Sequence, residues 1–391
     1  MTNLPQGWEV KKLGEIGEIV TGSTPSKSNL DFYGKDYPFF KPSDFEQGYF
    51  LENAGDNLSK LGFDKARQLP PKTILVVCIG SLGKVALTRV IGSCNQQINA
   101  IIPHKNIIAE YIYYYCISSK FQSILFSKAP QTTLAILNKT EFSKLEIIYP
   151  KDIKEQERIV GILDESFAKI DESIKILEQN LLNLDELMQS ALQKAFNPLK
   201  DNAKENYKLP QGWKWKSLEE ISENISAGGD KPKNCTESKT AKNQIPVYAN
   251  GVNNNGLVGY TDKATIIKPS LTISARGTIG FVCIRKEPYF PIVRLISLIP
   301  CENILCLHYL YFCLNFFIAK GEGSSIPQLT IPKFKSLQIP LPPLKEQEQI
   351  AKHLDFVFEK TKALKELYTK ELKDYEELKQ SLLNKAFKGK L

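Results

Sequence analysis

The chain has 391 residues, of which 42% are hydrophobic, and a formal net charge of +8 at pH 7. This length exceeds that of one typical domain, and the apolar content is sufficient for packed cores. Apolar runs stay well short of the ~18 residues that a membrane span requires. The N-terminal residues also lack the basic region and apolar core of a signal peptide. We therefore expect a cytoplasmic protein with no membrane partner.

The positive charge is concentrated in two segments of the chain. Residues 1–151 carry a net charge of +4 and residues 198–343 a net charge of +7, whereas residues 152–197 carry −5 and residues 344–391 carry +2. Basic globular segments favour contact with a polyanion, and near-neutral helical segments favour contact with protein. Ordinary lysine-rich surfaces are also basic, so charge alone leaves both interpretations open.

Strand and helix patterns are mixed in residues 1–151, which we call the first head. Because they do not alternate as regular βαβ units, the pattern favours an α+β fold. The predicted elements are a strand or turn entering an amphipathic helix over Trp8–Ile19, a loop over Thr21–Ser26, a buried strand at Pro38–Lys41, strands at Thr73–Cys78 and Val85–Val90 joined by a Gly80–Gly83 turn, and a helix at Ile107–Ser118.

A long helix with a heptad repeat is predicted for residues 152–197. Apolar residues recur at alternating steps of four and three over about four heptads, which is typical of paired helices. They are Leu163, Phe167, Ile170, Ile174, Leu177, Leu181, Leu184, Met188, Ala191 and Ala195. At ~1.5 Å per residue such a helix is on the order of 65 Å long. Asn197-Pro198 is expected to end it, and residues 198–208 form a polar linker.

Residues 209–343, the second head, repeat the mixture of strands and helices. The predicted elements are strands at Ile245–Ala249, Ala264–Ile267, Leu271–Ala275 and Ile279–Ile284, a helix at Asn303–Ala319, a flexible loop at Gly321–Ser325, and a rigid lead-in at Pro340–Pro343.

A second long helix is predicted for residues 344–391, with a less regular apolar seam. The seam residues are Ile350, Leu354, Val357, Thr361, Leu364, Tyr368, Tyr375, Leu378 and Leu382, and neither glycine nor proline occurs before Gly389. Two long helices in one chain most simply pair with each other. The short connections predict that they run antiparallel with one head at each end, which gives a dumbbell with approximate two-fold symmetry.

The sequence contains an internal repeat. In the long helices, Lys154–Ile159 matches Lys345–Ile350, and Leu187–Phe196 matches Leu378–Phe387. In the heads, Leu4–Trp8 matches Leu209–Trp213, and Gly80–Gly83 matches Gly277–Gly280. The helix ends recur at one constant spacing, whereas the heads match only at scattered marks. This pattern indicates two copies of one plan, a diverged head followed by a conserved helix.

Signatures of catalysis are weak throughout the sequence. Gly80–Val85 has the wrong glycine spacing for a phosphate loop, and Val85 stands where a magnesium ligand is needed, so a hairpin turn is favoured. The three histidines form no array with Ser or Cys that suggests a nucleophile and base. No repeated acidic pair suggests a two-metal nuclease. These observations favour a binding protein.

The eight cysteines form no C-x-x-C pair and mostly lie in apolar strings, which favours reduced core thiols. Cys301, Cys306, His308 and Cys313 are clustered in sequence. Their spacing is not that of a common zinc motif, and they lie in an apolar, helix-like run. We therefore predict no metal site.

Together, these repeated marks resemble those of type I restriction-modification specificity (S) subunits, over nearly the whole chain. The opening motif matches at Leu4, Pro5, Gly7 and Trp8 and at Leu209, Pro210, Gly212 and Trp213. The helix motif matches at Pro342, Pro343, Leu344, Glu346, Gln347 and Ile350. In the first copy Glu155, Gln156 and Ile159 match, but Lys151 and Asp152 replace the two prolines.

The resemblance implies a division of labour within a larger complex. Each head, at residues 1–151 and 209–343, would be a target recognition domain that reads one half of a split site in double-stranded DNA. The conserved helices, at residues 152–197 and 344–391, would set the distance between the halves and bind two methyltransferase subunits, which restriction/translocase subunits join. The chain itself would be non-catalytic and bind no cofactor. S-adenosylmethionine, ATP and magnesium would belong to the partner subunits.

Base-contacting residues are not specified by these motifs, so candidates rest on side-chain chemistry. Reading base edges in the major groove requires Arg, Lys, Asn or Gln on exposed loops. The candidates are Lys41, Ser43, Lys84 and Gln131 in the first head and Lys231, Lys233, Asn250, Asn253, Asn254, Arg276 and Arg294 in the second. Asn253–Asn255 could instead be only a turn, and Arg294 could be a core arginine.

Two other classes of function remain open from the sequence. A coiled-coil adaptor with protein- or ligand-binding heads explains the long helices but not the charge distribution or the marks at the head openings. An enzyme with an unfamiliar site is disfavoured by the missing acid, base and metal constellations.

Overall fold

The computed structural model describes residues 4–129, 135–200, 209–318, 321–322 and 328–391, without the side chains of 197–200 and 321–322. The chain forms two compact units. The first contains Met1–Leu177 and Thr369–Leu391, and the second contains Glu178–Tyr368. Each unit therefore consists of one head and a portion of both long helices.

Within the described residues, the first head has ten strands and five α-helices. The strands are β1 (Trp8–Lys12), β2 (Gly17–Thr21), β3 (Tyr33–Phe40), β4 (Phe50–Leu51), β5 (Asp56–Leu58), β6 (Ile74–Val77), β7 (Val85–Thr88), β8 (Ser93–Cys94), β9 (Ile98–Pro103) and β10 (Glu146–Pro150). The helices are α1 (Leu13–Ile16), α2 (Lys60–Lys65), α3 (Ala109–Ile117), α4 (Ser119–Lys128) and α5 (Lys139–Ser143).

The main sheet of the first head has the order β2-β9-β6-β7-β4, beside a three-stranded sheet β5-β3-β8 and the pair β1-β10. All four residues of β6 are fully buried. Ile74 and Val76 pack into one apolar cluster with α3 and α4, whereas Leu75 and Val77 pack into another. Because both faces of the strand are covered, its sequence is an unbroken apolar run and not an alternation.

The long helix α6 follows at Ile153–Lys200, and α10 is Leu344–Ala386. Between them the second head has strands β11 (Lys214–Ser217), β12 (Ser222–Ala227), β13 (Ile245–Tyr248), β14 (Leu257–Thr261), β15 (Ser270–Ile273), β16 (Thr278–Ile279), β17 (Val282–Arg285), β18 (Phe290–Pro291), β19 (Ile296–Pro300), β20 (Gly321–Glu322) and β21 (Gln338–Leu341). Its helices are α7 (Leu218–Ile221), α8 (Leu307–Phe317) and α9 (Ile331–Lys335).

The two heads share one topology, which confirms the α+β fold with two repeated domains. In the second head the main sheet has the order β12-β19-β15-β17, the three-stranded sheet is β14-β13-β18, and β11 pairs with β21. Each corresponds to a sheet of the first head, except that the first main sheet carries one more strand, β4. Among the described residues, the second head has an added pair, β16-β20.

The repeated glycine marks form hairpin turns in both heads. β6 and β7 are antiparallel in the first head, and β15 and β17 are antiparallel in the second. Gly80 and Gly83 have φ angles of 82° and 90°, and Gly277 and Gly280 have 78° and 80°. Glycine adopts this left-handed region without steric cost, which explains the repeated spacing.

Several predicted elements differ from the structure. The predicted helix within Trp8–Ile19 is only a single turn, α1, between two strands that pair with different partners. Ala264–Ile267 contributes one isolated bridge, between Ile266 and Tyr289, and no strand. Ile279–Ile284 is divided between β16 and β17. Local apolar patterns do not specify pairing partners, and pairing decides strand bounds. Of the predicted loop Gly321–Ser325, Gly321–Glu322 forms β20, and the remainder lies outside the described residues.

Asn197-Pro198 does not end α6, since the backbone is helical through Lys200. A proline within a helix removes one backbone hydrogen bond, because the ring replaces a single N–H donor.

In each unit the portions of α6 and α10 run antiparallel. In the first unit Arg158 donates to the carbonyl of Leu391 at 3.1 Å, and Asp171 pairs with Lys379 at 2.6 Å. In the second unit Asp185 pairs with Lys365. Among the predicted seam residues, Leu163, Ile170, Leu177, Leu184 and Leu354 are buried, and Phe167, Ile174, Leu181, Val357, Tyr368 and Tyr375 are half-buried.

Leu364 and Leu378 were assigned to the wrong face of α10, since they are 39% and 45% exposed. The buried face passes instead through Lys365 and Lys379, whose side chains are 29% and 17% exposed. Lysine can bury its apolar stem and pair its ammonium at the edge of a seam. A pattern of apolar residues alone therefore omits Lys365 and Lys379 and includes the adjacent Leu364 and Leu378.

The repeated motifs at the starts of the two long helices form the junctions between each head and its helix. Gln156 accepts from the Ile108 amide at 2.9 Å and donates to the Pro150 carbonyl at 2.9 Å. Gln347 accepts from the Cys306 amide at 2.9 Å and donates to the Pro342 carbonyl at 2.8 Å. Both glutamines are fully buried. Each joins the start of its long helix to the end of the preceding strand and to the start of α3 or α8.

The repeated Ala-Phe motifs at the ends of the two long helices each pack against a head. Phe387 makes an edge contact with Tyr111 in the first unit, with ring centroids 5.4 Å apart, and Phe196 makes one with Tyr309 in the second, at 5.8 Å. The two tyrosines occupy equivalent sites, because their hydroxyl groups donate to the carbonyls of Ile148 and Pro340, both at 2.9 Å. The helix of one copy thus closes the core of the other copy's head, which explains why these marks recur.

Candidate nucleic-acid interface

Four loops of the second head converge where strands β12, β13, β15 and β18 end. The Val293 amide donates to the Gly229 carbonyl at 2.8 Å, and the Arg294 amide donates to the Gly228 carbonyl at 2.9 Å. A Cβ atom at Gly228 would lie 2.6 Å from the Ile292 nitrogen, so only glycine permits this approach.

Asn250 joins two of these loops and has a structural role. Its side chain donates to the Val293 carbonyl at 2.6 Å and accepts from the Ala275 amide at 2.9 Å. These bonds place the loop that carries Arg276 beside the loop that carries Arg294. Asn250, predicted to read bases, thus positions the loops of two other predicted base-reading residues, Arg276 and Arg294.

The cations predicted in the second head are all exposed. Arg276 follows the end of β15, and Arg294 follows the end of β18. Lys231 and Lys233 lie in the loop after β12, in the same segment as Gly228 and Gly229. Within the described part of the chain, none of these four has an ion-pair partner. Their positive charges are therefore available to a polyanion.

Hydrogen bonds order the long loop that contains Lys231 and Lys233. The Asn243 side chain donates to the Asn234 carbonyl at 2.6 Å, and the Asn234 side chain donates to Asp262 at 2.5 Å. The bond from Asn234 to the charged carboxylate lowers the pKa of Asp262 below its usual value.

Asn253–Asn255 form a turn, with the side chains of Asn253 and Asn254 exposed. Asn254 and Asn255 have φ angles of 46° and 51°, in the left-handed region that asparagine tolerates better than most residues. Turn geometry thus explains at least part of this run.

The core arginine of the second head is Arg285, and Arg294 is exposed with a φ of 60°. The Arg285 guanidinium lies 3.5 Å from the centroid of the Tyr248 ring. It also donates to the Thr272 hydroxyl at 3.0 Å and to the Asn255 carbonyl at 2.5 Å. A charged group in the sheet is tolerated because two of its nitrogens donate to acceptors and its face lies against an aromatic ring.

The first head builds the same set of loops. The Ser23 amide donates to the Cys94 carbonyl at 3.0 Å, the Asn95 amide to the Phe40 carbonyl at 3.1 Å, and the Cys78 amide to the Gln97 carbonyl at 2.7 Å. These bonds join the loops that follow β2, β3, β6 and β8.

The cations predicted in the first head are paired with acids. Lys41 pairs with Asp56, and Lys84 lies 3.6 Å from Glu46. Ser43 is exposed in a 3-10 helix at Pro42–Gln47. Gln131 lies outside the described residues. These loops therefore present fewer unpaired cations than those of the second head.

Gln96 and Gln97, two polar residues in the loops of the first head, were missed by the sequence prediction. Gln96 is exposed after β8, and its side chain accepts from the Thr24 hydroxyl at 2.5 Å. The run Asn95-Gln96-Gln97 has the same spacing from the Gly80 turn that Ile292-Val293-Arg294 has from the Gly277 turn. An alignment of the two copies on these glycines therefore predicts that Asn95–Gln97 belongs to the same loop as Ile292–Arg294 in the other copy.

The arrangement suits contact with a nucleic acid. Exposed arginines at converging loop ends can donate two hydrogen bonds to guanine in a major groove, and lysines around them can neutralise phosphates. In the described residues, no group of three or more His, Cys, Asp or Glu side chains is placed to hold a metal ion. None of the described helices is long and apolar enough to cross a membrane.

Comparison with known proteins identifies the family. The family model for the type I restriction modification DNA specificity domain matches residues 5–182 and 210–374. The chain is 37% identical over 191 residues to the type I restriction enzyme HindI specificity subunit of Haemophilus influenzae, covering 47% of this chain and 42% of the relative. It thus spans less than half the length of that relative. It is 24% identical over 378 residues to the MjaIX specificity subunit of Methanocaldococcus jannaschii, covering 87% of this chain and 84% of the relative.

Solved structures show the same fold. A chain from a structural study of complex assembly and conformational transition in the type I R-M system has a TM-score of 0.83 at 19% identity, with 100% of both chains covered. The HsdS subunit from Thermoanaerobacter tengcongensis has a TM-score of 0.60 at 20% identity, with 99% of this chain and 98% of the other covered. The two matched ranges of the family model each begin at a Leu-Pro-Gln-Gly-Trp mark and end within a long helix. The chain therefore belongs to the type I restriction-modification DNA specificity domain family.

Proposed function

We propose that this chain is the DNA sequence-specificity subunit of a type I restriction-modification complex and binds a two-part DNA site, one part per head. The observation that carries the proposal is the paired construction of the interface. Both heads place loops at the same strand ends, and two of the backbone hydrogen bonds there are equivalent. The Gly22 amide donates to the Ile98 carbonyl as the Gly228 amide does to that of Leu295, and the Asn95 amide donates to the Phe40 carbonyl as the Ile292 amide does to that of Tyr248. The exposed side chains of these loops differ, as two different half-sites require.

The differences lie at equivalent positions. The Gly80 and Gly277 turns place Arg276 where the first head has Ile79 and Arg294 where it has Gln97. Arginine favours guanine in the major groove, whereas the half-buried Gln97 side chain accepts from the Asn95 side chain at 2.8 Å and donates to the Ile79 carbonyl at 3.4 Å. The two half-sites should therefore differ in base composition, with guanine contacts concentrated in the half read by the second head.

The long helices support the assembly part of the proposal. Several apolar side chains on them are more than half exposed: Ile176, Leu182 and Leu187 on α6 and Phe356 and Leu367 on α10. Exposed apolar residues on charged helices favour a protein partner. In the proposed complex they contact two methyltransferase subunits, and restriction/translocase subunits join these. S-adenosylmethionine, ATP and magnesium belong to the partners, and this chain supplies recognition without catalysis.

The test is to co-express the chain with a type I modification methyltransferase from the same genome and map adenine methylation across the host genome by single-molecule sequencing. The expected result is a split motif with an unspecified gap that disappears when this chain is deleted. A soluble complex that methylates no motif would contradict the proposal. The complex should also lose affinity steeply with salt, because phosphate contacts release counterions; a protein-binding adaptor would show a much shallower dependence.

A further inference from the structure

The main sheet of the second head ends in an open edge. In the first head β7 lies between β6 and the short strand β4. The corresponding strand of the second head, β17, pairs with β15 on one side, and none of the described strands pairs with its other side. An exposed strand edge presents backbone donors and acceptors to any extended segment that fits beside it.

The first head shows what fits beside such an edge. The Leu87 amide donates to the Tyr49 carbonyl at 2.9 Å, and the Arg89 amide donates to the Leu51 carbonyl at 3.0 Å. The segment is parallel to β7. Its final contact is an ion pair between Glu52 and Arg89 at 2.9 Å.

Aromatic packing holds the same segment on its inner side. The Tyr49 ring stacks on Tyr113 with centroids 4.0 Å apart and lies 5.5 Å from Tyr114. Phe50 lies beneath the guanidinium of Arg89, 3.7 Å from the ring centroid. A Tyr-Phe-Leu-Glu segment thus supplies two backbone acceptors, two aromatic rings and a carboxylate.

The second head keeps the receiving surface, but its described residues contain no counterpart of this segment. Tyr311 and Phe312 on α8 correspond to Tyr113 and Tyr114, as the equivalence of Tyr309 and Tyr111 shows. Phe358 makes an edge contact with Phe312 at 5.1 Å, as Phe167 does with Tyr114 at 5.3 Å. The missing member of the aromatic group is the counterpart of Tyr49.

A groove lies at this position. Its volume is about 760 Å³, and it is lined by Phe281–Arg285 along β17, by Tyr311, Phe312 and Phe358, and by the acids Asp355 and Glu359. β15 and β17 pair in the same register as β6 and β7. The amides of Ile284 and Lys286, which correspond to Leu87 and Arg89, therefore point toward the open edge. Lys286 is exposed and stands where Arg89 binds Glu52.

We propose that the β17 groove binds an extended segment of a partner protein that carries two consecutive aromatic residues and a carboxylate two positions later. The segment adds as a parallel strand to β17, its first ring packs on Tyr311 and Phe312, and its carboxylate pairs with Lys286. Strand addition of this kind takes affinity from backbone hydrogen bonds and specificity from side-chain pockets. The groove lining carries both signs of charge, Asp355 and Glu359 beside Arg285, Lys362 and Lys365, so the open backbone edge and the aromatic walls are what favour a peptide over a nucleic acid. The proposal does not depend on DNA recognition by the loops.

The test uses the full chain and a capped, fluorescent peptide with the sequence of residues 46–53, Glu-Gln-Gly-Tyr-Phe-Leu-Glu-Asn. Binding is measured by fluorescence anisotropy, and alkylation of Cys283, which lines the groove, is measured by mass spectrometry. We expect saturable binding that protects Cys283. A matched peptide with Ala in place of Tyr and Phe should bind at least tenfold more weakly and leave Cys283 reactive.

Charge exchange supplies the second arm of the test. Lys286→Glu should weaken binding several-fold, and a peptide with Lys in place of its second Glu should restore it. Lys263→Glu, another exposed lysine of the second head, serves as the control and should change nothing. Absence of binding to the unmodified chain would overturn the proposal. So would equal binding of the alanine peptide, or binding that leaves Cys283 unprotected, which would place the peptide elsewhere, such as at the β7 edge in exchange for β4.

Discussion

Two buried glutamines, Gln156 and Gln347, show how single residues hold each head on its long helix. The Gln347 side chain accepts from the Cys306 amide and donates to the carbonyls of Ile304 and Pro342, both within 2.9 Å. Gln156 makes the equivalent bonds in the first copy. A buried group that loses its partner costs about 1–3 kcal/mol, so this contact is more important for stability than an exposed hydrogen bond.

Gln347→Leu is therefore expected to lower the free energy of unfolding by about 3 kcal/mol, because one amide and two carbonyls lose their partner. Urea unfolding followed by tryptophan fluorescence measures the change. Gln349→Leu, two residues away and exposed, is the control and should stay within about 0.5 kcal/mol of the original chain. Equal effects of the two substitutions would show that burial of Gln347 is unimportant.

Arg294→Ala tests base reading by the second head. A bidentate contact to guanine is worth about 1–3 kcal/mol of discrimination, so the methylated motif should become degenerate at one position of one half-site. Lys231→Ala should instead weaken binding to all sequences alike and reduce the salt dependence, because a phosphate contact carries no sequence information. Methylome mapping and titrations at several salt concentrations measure both effects. An unchanged motif for Arg294→Ala would remove this residue from the readout.

At the scale of elements, paired charges lie on the faces where the two long helices meet. Lys379 pairs with Asp171 in the first unit, and its ammonium lies 5.8 Å from the centroid of the Phe167 ring. Lys365 pairs with Asp185 in the second unit. A polar residue at a seam position can specify the register and direction of helix pairing at some cost in stability.

Lys379→Asp should lower the melting temperature, because it faces Asp171 with a like charge. Asp171→Lys combined with Lys379→Asp should recover most of the loss, with a coupling of about 0.5–1 kcal/mol for a partly exposed pair. Circular dichroism melts of the four combinations give this coupling. Purely additive effects would show that the pair contributes nothing to helix pairing.

Substitution of a buried seam leucine tests the predicted face of α6. Leu184 is 8% exposed, so Leu184→Asp should break local packing, cost several kcal/mol, and prevent assembly with the methyltransferase. Leu182 is 58% exposed, so Leu182→Asp should leave the fold intact. If Leu182→Asp alone abolishes assembly, that face contacts the methyltransferase directly. Copurification and melting temperature separate these outcomes.

At the scale of the whole molecule, the duplication predicts that recognition is modular. The core of the second head includes Leu192 and Phe196 of α6 and Ala351 and Leu354 of α10, so a transplanted head must fit these helix ends. It must keep the counterpart of Tyr309 for Phe196 and that of Trp213, whose indole donates to Glu346 at 3.0 Å.

Exchange of residues 209–342 for another head that keeps these contacts should change one half of the methylated motif and leave the other half unchanged. The physical reason is that the first head retains its own core and loops. Methylome mapping of the hybrid measures the result. A motif that changes in both halves, or in neither, would contradict the assignment of one half-site to each head.

The sequence by itself determined the duplication, the two long helices, the buried strand β6 and the glycine hairpins. These features depend on periodicity and on residues close together in the chain, and a repeat reports on itself without any knowledge of folding. The repeated motifs that contain Gln156 and Gln347 were also found from the sequence. Their role was not, because the amides that these glutamines bind lie about 40 to 50 residues away in the chain.

Only the tertiary structure decided which loops meet, which face of α10 is buried and which strand edge is open. Asn250 brings Arg276 and Arg294 together by bonds across 25 and 43 residues, and Lys379 reaches the seam because Asp171 faces it. The groove along β17 exists because none of the described strands of the second copy takes the place of β4 in the first copy. Such features depend on pairings between distant residues, and local propensity carries no information about them.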